Sequence, residues 1–497
     1  MASSASRKRL HDLVEDVLID ILIECDVAGV LALSETSRFF HHLAFTNTVW
    51  HSLVTELVQR GFIDRRSDDE DLKDLSTEQL IGIVKRMLHG PKAWADRPSN
   101  FYSVALRRSL NLFKKLVRKP AVEAAAPLGE AKRIVLHPEI AQGPAMSPFV
   151  DTWNRSKLLP GGKYVLFLNS ARLECWSVFE DRLVWKHIPS LSTMDHTSVI
   201  DFEVEMAECE IAVIGTCQRT DPGEQFVEIT TVNFTTGVSD LELVSRVPEE
   251  PFDFGFECAV CGDIVAVYLR LRSRVLLINW RTSSRILISA ESIENSQIAV
   301  IPDYLVVTLD ATHGKHRLTF SPFASIAFWE PNDHVEPPST HIPIADLPFY
   351  SVLDEPLSLG SQPPCRSQGL KRSIWVHENP LQRGRFKIWL HTWFDGVPAL
   401  CSFECVKHNA GVSWRPLSTT PMPIQIYPRG MSLSGHTLGY CRGYNGLRIV
   451  PPDPTDKESA RRQIVEFTGR APFVYLSSFS GALTYSTDKE LVVVYYD

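Results

Sequence analysis

From Leu10 to Val58 the apolar residues recur at helical spacing. Leu13, Val14, Val17, Leu18, Ile21 and Leu22 place two adjacent apolar positions on every turn, a broad stripe along one side of a helix. Ile19 and Ile23 lie off that stripe and are apolar too. A short second segment carries Val27, Val30, Leu31 and Leu33, and a third carries Phe39, Phe40, Leu43 and Ala44. In the fourth, Trp50, Leu53, Val54, Leu57 and Val58 predict a helix running to about Gln59, with Gly61 as its stop. A block this short lies near the limit of roughly 40 residues below which a domain usually needs a metal, disulfides or a partner. It holds one cysteine, Cys25, and no metal-ligand spacing, so a protein partner is the expected support.

Arg65 to Asp74 reads as an exposed charged loop. Ser76 and Gln79 then form a capping box that opens a helix over Thr77–Leu88, closed by His89-Gly90-Pro91. Tyr102 to Lys119 mixes apolar residues with Arg107, Arg108, Lys114, Lys115, Arg118 and Lys119, the pattern of a solvated linker face. Pro120 to Pro127, rich in alanine, marks a domain boundary.

From about Lys132 the helical spacing ends. Short runs of Val, Ile, Tyr, Phe and Trp alternate with Gly, Pro, Asn and Asp turns, an all-β signature. A hairpin-centred unit recurs at 161–178, 211–234, 262–280, 304–329, 386–406, 434–450 and 480–494, with Tyr304–Leu309 and Ile326–Trp329 read as the fourth hairpin. The spacings are mostly near the roughly 40 to 50 residues of a four-stranded propeller blade. The expected fold is multidomain: a small all-α module and helical linker, then an all-β propeller of seven blades, with six as the alternative. The last unit shows about three strands, and Arg133–His137 is the candidate fourth, joining the two ends of the ring. Without a Trp-Asp dipeptide anywhere, the repeat is WD-like at most. The proline-rich stretch Pro331–Arg372, with a candidate strand at His341–Ile344 and expected between the fourth and fifth units, should emerge at a rim and is the candidate substrate contact. The expected divisions are 1–9, a disordered N-terminus; 10–58, the helical module; 59–127, the linker; and 132–497, the propeller.

Composition narrows the function. A hydrophobic fraction of 44% and a charged fraction of 22% belong to an ordinary globular chain. The net charge of −8 argues against nucleic acid as the main partner. No apolar run approaches the roughly 18 residues of a membrane span, and the basic N-terminus lacks the apolar core of a secretory signal. Ten cysteines without framework spacing indicate a reducing compartment, cytoplasm or nucleus. Cys258/Cys261 forms one CxxC pair within a strand-like run, and Cys401, Cys405 and His408 offer soft ligands, but a four-ligand zinc site generally needs two compatible pairs. No metal and no cofactor is expected. There is no phosphate-cradling loop, no nucleophile elbow and no HExxH. Sixteen unspaced histidines, the neighbours His41 and His42 included, read as ordinary polar residues.

The helical block also resembles a known family. The run Leu13-Val14-Glu15-Asp16-Val17-Leu18-Ile19-Asp20-Ile21-Leu22, then Asp26, Val30-Leu31, Leu33, Thr36-Ser37-Arg38-Phe39-Phe40, Leu43-Ala44 and Trp50, is similar to an F-box. Two positions depart from the usual pattern: Val14 stands where proline is common, and Cys25 where leucine is common. An F-box, helical linker and non-WD propeller together resemble the large F-box families of mushroom-forming fungi. The resemblance implies a non-catalytic, substrate-recognition subunit of a Skp–cullin–F-box ubiquitin ligase. Its F-box would bind the Skp adaptor, and through it a cullin, while the propeller would recruit a protein substrate. The adaptor contacts it implies are Leu13, Val14, Val17, Leu18, Ile21, Leu22, Val30 and Leu31, and some of these must instead form the module's own core. Two other readings stand beside it: a propeller scaffold that binds the adaptor outside a ligase, and a propeller hydrolase with a helical cap.

Overall fold

The computed structural model describes residues 10, 13–64, 71–94, 130–140, 154–169, 172–190, 197–208, 210–220, 224–248, 256–269, 274–289, 297–311, 315–333, 335–339, 341–348, 351–352, 374–394, 397–408, 411–422, 426–441, 447–452, 464–465, 474–487 and 489–496. The expectations for residues 1–9, for the linker face at 102–119 and for the boundary at 120–127 lie outside these residues.

Among the described residues five α-helices come first: α1 (Glu15–Glu24), α2 (Val27–Ser34), α3 (Arg38–Ala44), α4 (Asn47–Gln59) and α5 (Thr77–His89). Their starts follow local chemistry. Asp26 accepts from the Gly29 N–H at 2.7 Å ahead of α2, and Ser37 accepts from the Phe40 N–H at 3.2 Å ahead of α3. Both halves of the Ser76/Gln79 capping box are present at α5. Leu18, Leu22, Val27, Val30, Leu43, Val49, Trp50, Leu53 and Leu57 share one core with Leu80, Val84 and Met87 of α5. The apolar face of α5 therefore belongs to the helical core.

Strand β1 (Glu130–Leu136) leads into the all-β part. A first sheet holds β2 (Asn154–Leu158), β3 (Tyr164–Asn169), β4 (Arg172–Ser177) and β5 (Arg182–Lys186). The second holds β6 (Ser198–Met206), β7 (Ile211–Arg219), β8 (Gln225–Asn233) and β9 (Val238–Arg246). In the third are β10 (Phe256–Cys261), β11 (Ile264–Leu269), β12 (Arg274–Asn279) and β13 (Ser284–Ser289). The fourth has β14 (Gln297–Ile301), β15 (Tyr304–Ala311) and β16 (Lys315–Pro322). Two short strands, β17 (Glu330–Pro331) and β18 (His341–Pro343), return to the third sheet, and β19 (Ser351–Val352) completes the fourth. The fifth sheet is β20 (Ile374–Glu378), β21 (Arg385–Phe394), β22 (Val397–His408) and β23 (Gly411–Pro421). The sixth is β24 (Ile426–Met431), β25 (Thr437–Cys441), β26 (Leu447–Val450) and β27 (Ile464–Val465). The last joins β28 (Val474–Leu476), β29 (Leu483–Ser486) and β30 (Leu491–Tyr496) to β1, so the expected pairing of the two ends is present, running from Glu130↔Tyr496 to Leu136↔Leu491.

The described sheets are antiparallel apart from the parallel pair β13/β18, and hydrophobic clusters join each to the next. Leu166 and Cys175 of the first meet Phe202 and Ile214 of the second; Ile229 of the second meets Val265 of the third. The series continues to Leu438 of the sixth against Val492 of the seventh, then Val493 of the seventh against Phe167 of the first. Sheets packed face to face in succession, with the last against the first, make a propeller-like all-β domain. One expected hairpin is corrected. β15 pairs with β16, and Ile326–Trp329 is not a strand, because the chain leaves the sheet through a short 3₁₀ turn at Phe323–Ser325.

Candidate functional site

Helix α1 lies on α3 and α4, and its apolar positions divide into two sets. Leu18 and Leu22 are 1% exposed and point into the helical core, as does Val30 of α2. Leu31 is half-buried against the same core. Leu13, Val14, Val17 and Ile21 are 38%, 66%, 41% and 36% exposed. Of the eight residues, then, Leu18, Leu22 and Val30 are the ones that form the module's own core, packed with Leu43, Val49 and Leu53. The outward stripe is flanked by exposed Glu15, Asp16, Asp20 and Glu24, and Phe39 of α3 is also exposed.

Val14 is the N-cap of α1, with φ −68° and ψ 150° and no side-chain cap. That φ suits proline, whose ring holds φ near −65°, and the Val14 N–H has no acceptor among the described residues. The Val14→Pro variant is therefore expected to fold normally and to gain about 0.4–1 kcal/mol by restricting the unfolded chain. A urea titration checks this, and a lowered midpoint would contradict it.

The helical part is held against the propeller-like domain at several points. The Ala28 N–H donates to Leu381 O at 3.1 Å, and the Gly161 N–H donates to Gly61 O at 3.1 Å. Arg60 pairs with Glu378 at 2.7 Å, and Arg383 reaches back to Glu56. Phe62 meets Phe479 edge-on at 4.7 Å. Trp94, fully buried, shares a core with Leu438, Leu447 and Val494. Gly481 has φ +71°, and a Cβ there would sit 2.7 Å from Pro91 and 2.8 Å from Trp94, so the turn admits only glycine at this contact.

Within the propeller-like domain, carboxylates that sequence could not pair are found paired. Arg155 bonds Asp201, Lys157 bonds Glu203 and Lys163 bonds Glu210, each tying the first sheet to the second. Glu205 is raised by burial, although the Gly262 N–H works the other way. Cys258 and Cys261 lie on one strand three residues apart, hence on opposite faces, and no metal-binding cluster forms among the described residues. Burial pushes the Cys401 thiol up to about 11 and Cys405 up to about 12, which keeps both protonated.

Three buried histidines are held neutral. Burial lowers His377 to about 3, with Lys387 adding to the effect, and lowers His391 and His436 to about 4. Their folded pKa values lie below the unfolded one near 6.5, so the unfolded chain takes up protons first. Stability is complete above about pH 6.5 and is lost as pH falls toward 4, by roughly 1.4 kcal/mol per pH unit for each histidine involved. Denaturant midpoints between pH 7.5 and 4.5 are expected to fall steeply; a flat profile over that interval would contradict this assignment.

The proline-rich stretch departs from expectation in two ways. Its first part, before β19, lies inside the fourth unit, because Phe320 of β16 pairs with Ser351. Its first part also does not project as a loop. β17 pairs antiparallel and β18 parallel with β13, while Ile342, Ile344 and Leu347 pack with the third and fourth sheets. The open edge of β13 and these apolar side chains explain why the segment folds back. Residues 353–372 of the stretch lie outside the described residues.

A second surface went unnoticed in the sequence. A cleft of about 620 Å³ lies beside β5 and β9, bordered by Leu183, Ile188 and Leu241, which are 40%, 77% and 49% exposed. Leu241 within Val238–Arg246, an apolar residue on the solvent side of an outer strand, was the available signal.

No family model matches the chain. No curated protein matches it. Among solved structures, it is similar to the WD40 domain of SCAP from fission yeast at 9% identity, covering 68% of this chain and 82% of that one with a TM-score of 0.33. It is also similar to a eukaryotic initiation factor structure at 8% identity, covering 72% and 89% with a TM-score of 0.31. AztD from Citrobacter koseri gives 8% identity, 63% and 72% coverage and a TM-score of 0.30.

Proposed function

We propose that this chain is the substrate-recognition subunit of a Skp–cullin–F-box type ubiquitin ligase, with an F-box at its N-terminus and a seven-bladed propeller as the recruiting platform. The observation that carries the reading is the outward stripe Leu13, Val14, Val17 and Ile21, left exposed on helices whose internal core is already filled. Apolar surface concentrated on one helix of a small module is the mark of a protein-docking face. The described helices and sheets are joined by buried aromatics and ion pairs, which suits a subunit that must hold a substrate at a set distance from the ubiquitin-carrying enzyme. In that arrangement proximity does the work, by raising the effective concentration of substrate lysines, and the chain itself makes no bond. The reading places the protein in the cytoplasm or nucleus, with no cofactor, no nucleic acid and no membrane among its partners.

Affinity purification of the full chain tests it. A ligase subunit brings down both the Skp adaptor and a cullin. Recovery of the adaptor alone would favour a scaffold outside the ligase, and recovery of neither would overturn the proposal.

A further inference from the structure

We propose that the cleft between β5 and β9 is a docking groove for an extended segment of another polypeptide, with apolar side chains at alternate positions and acidic rather than basic residues beside them. This names a recruiting surface for the propeller platform and rests on that part of the reading above, but not on the adaptor.

The groove runs between two successive outer strands. One wall is the chain from Leu183 to Ser190, and the other is built by Thr230, Gly237, Ser239 and Leu241. Thr230 and Leu241 are direct cross-strand partners, so they face the same side of the second sheet. Exposed apolar residues scattered singly are ordinary, but Leu183, Ile188 and Leu241 border a single concavity. Among the described residues lining it, Lys186 carries the one permanent charge and no carboxylate is present, which favours an acidic occupant over a basic one. The wall is braced from behind. Glu228, fully buried, accepts from the Ser190 N–H at 3.0 Å and meets His187 Nε2 at 3.2 Å, fixing the backbone that follows β5.

The molecule itself shows what such a groove accepts. At the next position round the domain, between β9 and β13, the chain's own segment 330–343 lies along the edge of β13 through β17 and β18. Arg246 Nη1 donates to Val335 O at 2.7 Å, and Asn332 Nδ2 donates to Val244 O at 2.7 Å, tying that segment back to β9. Arg285 donates to Asp333 O at 2.6 Å. The occupant there contributes two short strands of opposite direction, contains proline and offers the Asp333 and Val335 carbonyls to Arg285 and Arg246. The groove at β5 and β9 lies beside the corresponding outer strands one sheet earlier. No strand among the described residues pairs with the outer edge of β9, and Val238 to Glu242 are all exposed. Pairing along such an edge supplies affinity through the main chain and specificity through alternate side chains.

A phage-displayed library of random peptides about twelve residues long, selected on the full chain, is the probe. The expected winners alternate apolar and polar residues. As fluorescein-labelled synthetic peptides they should bind with micromolar affinity, measured by anisotropy. Leu241→Asp and Ile188→Asp are each expected to weaken binding at least about tenfold, since each places a carboxylate against an apolar contact. Both positions are exposed, so both variants should melt like the parent; Leu241→Gln repeats the test without added charge should Leu241→Asp fold poorly. Methylating alternate backbone amides of a winning peptide should abolish binding. Failure to enrich any sequence, or equal affinity for all three variants, would overturn the proposal. A photo-crosslinker at position 241 that reacts only within its own chain would overturn it as well, by assigning the groove to the protein's own segment. Peptide binding that survives alongside failed adaptor capture would sink the ligase reading and leave the groove standing; the reverse result would remove the groove alone.

Discussion

Val17→Asp combined with Ile21→Asp is expected to abolish capture of the Skp adaptor while the chain stays folded. Both side chains are more than a third exposed, at 41% and 36%, and they lie four residues apart on one face of α1. In the free protein the new carboxylates face water and cost little. Covered by an apolar partner, each would be buried without a counter-charge, at a cost of several kcal/mol. At about 1.4 kcal/mol for each tenfold change, the pair should weaken capture by well over about a hundredfold. The flanking Glu15, Asp16, Asp20 and Glu24 add further like charge to the same surface. Binding of the purified adaptor, measured beside a thermal melt, decides the matter. Undiminished capture by a folded double variant would remove the stripe as the docking face. Leu22→Asp, the variant that sequence spacing alone recommends, is a poorer probe. At 1% exposure it would unfold the helical core, and lost capture would say nothing about the surface.

Trp94→Ala should be the most damaging single truncation at the junction of helices and sheets, costing about 3–5 kcal/mol. The indole is completely buried, 5.7 Å from the Tyr496 ring and 5.2 Å from the His436 ring. Its neighbours include Leu438 and Leu447 of the sixth sheet and Leu483 and Val492 of the seventh. These residues are fixed by their own strands, so the surroundings cannot collapse into the space the ring leaves. Urea unfolding is expected to show a lower midpoint, and limited proteolysis should show the helical part released earlier than in the parent. A loss below about 1 kcal/mol would mean that Trp94 does not hold the two parts together.

Much of the helical part could be read directly. The end of α4 at Gln59, the glycine after it and the Ser76/Gln79 capping box are local features, set by spacing and by side chains within one turn. The closing strand was also legible, since an unpaired last hairpin calls for a fourth strand and Arg133–His137 offers the short apolar run Ile134-Val135-Leu136. Local pattern failed where two distant pieces of chain compete for one strand edge. The run from Glu330 to Pro343 marks a strand near His341–Ile344 but not the edge it covers; the open edge of β13 and the Arg246 and Arg285 donors decide that, and they lie far away in sequence.

The eight apolar positions from Leu13 to Leu31 illustrate the same division. Sequence by itself determined that helices form there and that they carry more apolar surface than one small core can absorb. Periodicity assigns a residue to a broad stripe, but a stripe two residues wide has two sides. Which side turns inward depends on where α3 and α4 sit across it, and only the tertiary structure settled that, burying Leu18, Leu22 and Val30 and leaving Leu13, Val14, Val17 and Ile21 in water. The groove at β5 and β9 was beyond sequence for a related reason: its two walls belong to different sheets, and packing between those sheets alone brings Ile188 and Leu241 to the same cleft.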